Sequence, residues 1–149
     1  MTPSSEFVEI GNRTRESLRL HARDIATKLR SNMAQLVPGR WDNDVAALGR
    51  LVSLCGNLDQ LHAVVGTTLQ WHPPPLPDDL VELHRRIGDC IGPVTDFAMC
   101  ALEPRLCGVW RDAALGPAKV EELLALVDPA EPSEDRAARP ASGGAARAR

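Results

Sequence analysis

The chain has no tyrosine, two phenylalanines and three tryptophans, so aromatic residues make up only 3% of it. So few flat apolar faces argue against an aromatic-lined cofactor or carbohydrate pocket, and against a surface on which bases stack. Lysine is scarce as well: Lys28 and Lys119 stand beside fifteen arginines. The formal charge of −3 gives no overall pull on a polyanion, which disfavours nucleic acid as a partner unless a local patch supplies it. No apolar run approaches the roughly 20 residues of a membrane span, because the charge-free stretch from Gln60 to Pro77 is broken by prolines. No membrane role is expected. The N-terminus lacks a basic start followed by an apolar signal core, and a reducing, cytoplasmic setting is the default expectation.

The four cysteines, Cys55, Cys90, Cys100 and Cys107, lack the short paired spacing of a structural zinc site, and no repeated Glu-x-x-His pair suggests a di-iron bundle. No metal and no cofactor are expected, and the thiols read as small buried hydrophobes. Strand signals and internal repeats are absent too. What remains is helical periodicity, and it predicts an all-α fold: an antiparallel bundle of four main helices plus a short C-terminal helix. Residues 1–128 form the bundle domain, and the unpatterned Pro-, Ala- and Arg-rich stretch 129–149 reads as a disordered tail.

The bundle is organised around Val45 to Leu69, which carries only two full charges, Arg50 and Asp59. Leu48, Leu51, Val52, Leu54, Leu58, Leu61, Val65 and Leu69 form one broad apolar face at three- and four-residue steps. Roughly opposite runs a stripe of small residues, Ala46, Gly49, Ser53, Gly56, Gln60, Ala63 and Thr67. Glycines inside a helix cost about 1 kcal/mol each against alanine, so their presence predicts a close helix contact along Gly49, Ser53, Gly56, Gln60 and Ala63, within the chain or across a dimer.

Before this helix, Leu18, Ala22, Ile25, Leu29, Met33 and Leu36 mark a first helix, with a possible break at Gly11-Asn12. Val37-Pro38-Gly39 stops it, and Trp41 to Asp44 reads as a staple and cap for the central helix. After Trp71, the prolines from Pro73 to Pro77 force a stiff connector. Asp78 then caps a third helix facing inward with Leu80, Leu83, Ile87, Ile91, Val94, Ala98 and Leu102. Pro93 predicts a kink or a split near residues 88–92. Glu103-Pro104 opens a short helix to about Leu115, and Ala118 to Val127 makes the last one.

Four constellations invite a functional reading. Asp59 and His62 share a helical face with Cys55, and this polar niche would suit an acid/base or pH-sensing group. Arg15, Arg19, Arg23 and Arg30 lie on one flank of the first helix, where they could meet phosphates or an acidic edge formed by Asp89, Asp96 and Glu103. Trp41, Trp71 and Trp110 are candidate interface anchors. The run Leu80, His84, Ile87-Gly88-Asp89 and Ile91 resembles the groove-binding ligand helix of the apoptosis regulators. It departs from that ladder at the second rung, where His84 replaces a leucine whose loss would cost roughly 2 to 5 kcal/mol.

The reading these features favour is a small interaction or regulatory module whose partner is another protein or a second copy of itself. A helical-bundle enzyme or ligand or pH sensor built on Asp59 and His62 is the first alternative. A nucleic-acid-linked regulator acting through the arginine flank is the second.

Overall fold

The computed structural model describes residues 5–109 and 111–128, with side chains from residue 12 onward except at 110 and 111. Trp110 and the tail 129–149 lie outside the described residues. Among the described residues every regular element is helical. Four helices, α1 (Ser5–Ala34), α2 (Val45–Trp71), α3 (Asp78–Leu102) and α4 (Gly116–Val127), form an antiparallel bundle with two short 3-10 turns, Pro104–Leu106 and Arg111–Leu115, between α3 and α4. In cross-section each helix packs on the next in the order α1, α2, α3, α4, and α4 closes the ring against α1. Across the diagonals α1 barely meets α3, and α2 does not touch α4.

Most of the residues that periodicity turns inward are buried, but Val52 on α2 and Leu102 at the end of α3 are exposed. Leu29, Leu51, Leu58, Val65, Leu80, Ile87, Val94, Val120 and Leu123 are all buried in one continuous core. At about 1.5 to 3 kcal/mol for each large side chain, this burial is the main force holding the bundle. The turn between α1 and α2 is held by Asn43, whose amide donates to the Val37 and Arg40 carbonyls at 2.9 and 3.1 Å while its oxygen accepts from Val37 N–H at 2.9 Å. Gly39, at a φ of +86° that suits a residue without a Cβ, donates its N–H to the Cys100 carbonyl at 3.3 Å. That bond serves one of the carbonyls left open in the last turn of α3.

Several local expectations need correction. α1 runs unbroken through Gly11-Asn12, because the first turns continue into a helix already anchored by its packed C-terminal half. Asp44 does cap α2, accepting from Ala46 N–H at 3.1 Å, but Trp41 is 68% exposed and forms no staple. On α3 the cap position belongs to Pro77, whose carbonyl accepts from Leu80 and Val81, and Asp78 is the first helical residue. Of the kink or split expected at Pro93, the split does not occur, since α3 continues through it as one helix. Its buried neighbours Cys90, Val94 and Phe97 hold the stretch from one side, and Gly116 brings the first turn of α4 directly onto it. Where one short helix was expected, the described residues form two 3-10 turns, Pro104–Leu106 and Arg111–Leu115, so the short terminal helix α4 becomes the fourth member of the bundle.

Candidate functional site: the outer face of α2 and the α2–α3 seam

α2 is apolar nearly all round, yet only half of it is covered. Ala47, Leu51, Leu54, Leu58, Leu61 and Val65 are buried against α1 and α3. Ala46, Gly49, Ser53, Gly56, Gln60, Ala63 and Thr67 are all exposed, and a Cβ added at Gly49 or Gly56 would meet nothing within 4 Å. The close contact expected along Gly49, Ser53, Gly56, Gln60 and Ala63 is therefore not made among the described residues. The reason is architectural: α4 lies in the α1–α3 groove on the far side of the bundle, so among the described residues no element passes over the outer face of α2. Val45, Val52, Val64 and Trp71 border this face at 80, 47, 51 and 79% exposure.

The glycines that do permit close approach are on the neighbouring seam. A Cβ at Gly88 on α3 would lie 3.0 Å from His62 Nε2, and one at Gly66 on α2 would lie 3.1 Å from His84 Nε2. The relation is reciprocal, since each helix carries a His followed four residues later by a Gly and the helices run antiparallel. The two imidazoles stack with centroids 4.2 Å apart and planes 11° from parallel. Burial, and then the charge of His62, hold the His84 ring below the usual imidazole value. So the ring partner of His62 in the expected polar niche is His84 across the seam, a pairing that the sequence reading missed.

Cys55 and Asp59 share this side of α2, with Cys55 half-buried and Asp59 exposed. Burial first, and the Asp59 carboxylate second, push the Cys55 thiol up to about 11. A thiol so basic is ionised in only about one molecule in a thousand at pH 8, which makes it a poor nucleophile. The native protein is accordingly expected to react slowly with a thiol-specific disulfide reagent at pH 8, and to release two equivalents, from Cys55 and Cys90, once unfolded without reductant. Labelling of Cys55 in the native protein as fast as free cysteine would contradict this environment. Among the described residues no cluster of three or more His, Cys, Asp or Glu could hold a metal ion.

The arginine flank is already paired. Arg15 lies 3.6 Å from Asp79, Arg23 3.7 Å from Asp128 and Arg30 3.7 Å from Glu121, while Arg19 grips Glu16 and donates to the Val127 carbonyl. The basic flank thus binds α1 to α4 and to the start of α3, and not to Asp89, Asp96 and Glu103. Asp89 pairs with Arg85 at 3.5 Å, and Glu103 with Arg105 at 2.8 Å. In the run that resembles a groove-binding ligand helix, Leu80 and Ile87 are buried in the bundle's own core and cannot serve an outside groove. Trp41 and Trp71 stand exposed near the two ends of α2.

Two of the four cysteines depart from the expectation of free buried thiols, because Cys100 and Cys107 are joined in a disulfide with Cα atoms 4.5 Å apart. The chain makes this possible by leaving the helix after Leu102 and folding back over Pro104–Leu106. Cys90 stays free and buried, donating to the Lys119 carbonyl at 3.1 Å. Among the described residues no helix is long and apolar enough to cross a membrane. No protein-family model, curated protein or solved structure matches the chain.

Proposed function

We propose that this chain is an interaction module that pairs through the outer face of α2, with a second copy of itself as the occupant. The observation that carries the reading is the open, uncharged outer face of α2. Ala46, Gly49, Ser53, Gly56, Gln60, Ala63 and Thr67 follow one another at alternating steps of three and four, the spacing of a helix–helix seam, and all are exposed. Small side chains at such positions let a second helix approach closely, so the groups that would otherwise separate the two backbones are absent. The two charges of α2, Arg50 and Asp59, stand about 90° to either side of the stripe on a turn of about 100° per residue.

A second copy suits this face because a two-fold pairing sets small against small without bringing like charges together on the seam. A strongly charged partner would find nothing there to pair with. If two α2 helices cross antiparallel at the level of Leu58, Val45 of one copy lies level with Trp71 of the other, which covers two of the most exposed apolar side chains among the described residues.

The alternatives draw less support. An enzyme using Cys55, Asp59 and His62 would depend on a thiol held far from ionisation. A nucleic-acid regulator would have to break the ion pairs that already occupy Arg15, Arg19, Arg23 and Arg30.

The test separates pairing from folding. Gly49→Ala and Gly56→Ala put methyl groups into open space, so each is expected to stabilise the single chain by about 1 kcal/mol in urea unfolding at low concentration. The same changes obstruct the seam, and Gly56→Leu is expected to abolish the dimer in sedimentation equilibrium. A chain that is monomeric at several hundred micromolar rejects the reading. A dimer indifferent to Gly56→Leu places the interface elsewhere.

A further inference from the structure

We infer that the stacked pair of His62 and His84 is a pH-sensitive latch on the α2–α3 seam, closed while at least one ring is neutral and released when both are protonated. This does not depend on pairing through the outer face of α2. The geometry leaves the rings little freedom. Each is confined between its partner ring, 4.2 Å away, and the backbone of the opposite helix at a glycine, where its Nε2 occupies the place next to a missing Cβ. One imidazolium lying on a neutral imidazole is tolerated, since a cation is attracted to a π face. Two imidazoliums at this separation repel, and each Nε2 is seated beside a glycine of the opposite helix, so the repulsion acts across the seam itself. The repulsion is relieved by parting α2 from α3.

The surroundings do little to offset it. On α2, Asp59 stands one turn before His62 but is exposed, and the Cys55 thiol is neutral. On α3, the neighbours of His84 along its face, Val81, Gly88 and Ile91, carry no charge. Arg85 is engaged by Glu82 and Asp89, and Arg86 by Glu82 and Glu122 of α4. Burial, and after it the charge of His62, lower the affinity of His84 for a proton.

The direction of the pH effect follows from the lowered affinity of His84 for a proton. Between the ordinary imidazole value of about 6.5 and the lower folded value, the unfolded chain holds more protons than the folded one. The stabilisation is fully present above the unfolded value and is lost as the pH falls through it toward the folded one.

Hydrogen exchange followed by mass spectrometry at about pH 7.5 and pH 5, corrected for intrinsic rates, tests the latch. Amides around residues 60–70 of α2 and 82–92 of α3 are expected to lose about tenfold protection at the lower pH, while the α1–α4 contact keeps its own. The double variant His62→Phe and His84→Phe keeps two stacked rings that take up no proton, and its protection along the seam is expected to be the same at both pH values. Should that variant fold poorly, His84→Gln serves instead, because with one ring left the second protonation cannot occur. Unchanged wild-type protection at pH 5, or an acid loss that persists in the variants, overturns the latch. The other described histidines, His21 and His72, remain in every variant and so cancel from the comparison.

Discussion

Replacing Gly116 by valine is expected to lower stability by about 3 kcal/mol, seen as a fall of about 10 °C in the thermal midpoint. Gly116 opens α4 at the point where three elements converge. A Cβ there would lie 2.9 Å from Met33 Cε, 3.1 Å from the Pro93 carbonyl oxygen and 3.2 Å from Phe97 Cβ. The methionine terminus can swing away, but a backbone carbonyl inside α3 and a Cβ fixed to it cannot. Even alanine must therefore push α4 off α3, at about 1 to 2 kcal/mol, and valine adds two methyl groups to the same space. The contrast with Gly49 and Gly56 is the sharper form of the prediction. One substitution, glycine to alanine within a helix, is expected to stabilise at those two sites and to destabilise at Gly116. Urea midpoints for the three alanine variants, with slopes unchanged, would establish it, and Gly116→Ala as stable as the parent would refute it.

The opposite behaviour of these glycines also marks where sequence patterns stop being informative. Composition and periodicity make the bundle legible: the central helix read as Val45–Leu69 is Val45–Trp71, and its inward leucines are those the spacing selects. That glycines in helices imply close approach somewhere is equally sound. Which glycines do so depends on helix order, and order is not local. With α4 on the far side, Gly49 and Gly56 are left bare while Gly66, Gly88 and Gly116 take the close contacts.

The His62–His84 pair was hidden for a related reason. Asp59 is its neighbour along the chain, but the stacking partner comes from across the seam. A signal did exist, since His62 with Gly66 and His84 with Gly88 repeat one spacing on two helices joined by a short proline-rich connector. Folding that connector into an antiparallel hairpin sets each histidine against the other's glycine. The arginine flank taught the same lesson, because Arg19 pairs with Glu16 on its own helix but the counter-ions of Arg15, Arg30 and Arg23, which are Asp79, Glu121 and Asp128, lie beyond any same-helix spacing.

Reduction of the Cys100–Cys107 bridge is expected to destabilise the bundle by about 2 kcal/mol, moving the thermal midpoint down by about 6 °C. The bridge closes a loop of eight residues, and by loop entropy alone a crosslink of that size restricts the unfolded chain by about 2.5 kcal/mol. Little else fixes this corner. Pro104–Leu106 is a single 3-10 turn with no side-chain cap and no buried residue, and Leu106 and Val109 are exposed. Cys100, by contrast, is fully buried at the end of α3, where its carbonyl accepts from Gly39 in the α1–α2 turn. The bridge therefore ties a weakly held segment to the best-anchored point nearby. Helix spacing concealed it, because seven residues apart looks like one face of a continuing helix. Pro104 disfavours helical backbone at Glu103, and the chain folds back instead. Unfolding with and without reductant, beside a Cys100→Ala and Cys107→Ala variant, decides the matter. The parent should fall to the level of the double variant when reduced, and the double variant should ignore reductant. Equal midpoints for the oxidised and reduced parent would mean that this corner contributes nothing to the bundle's stability.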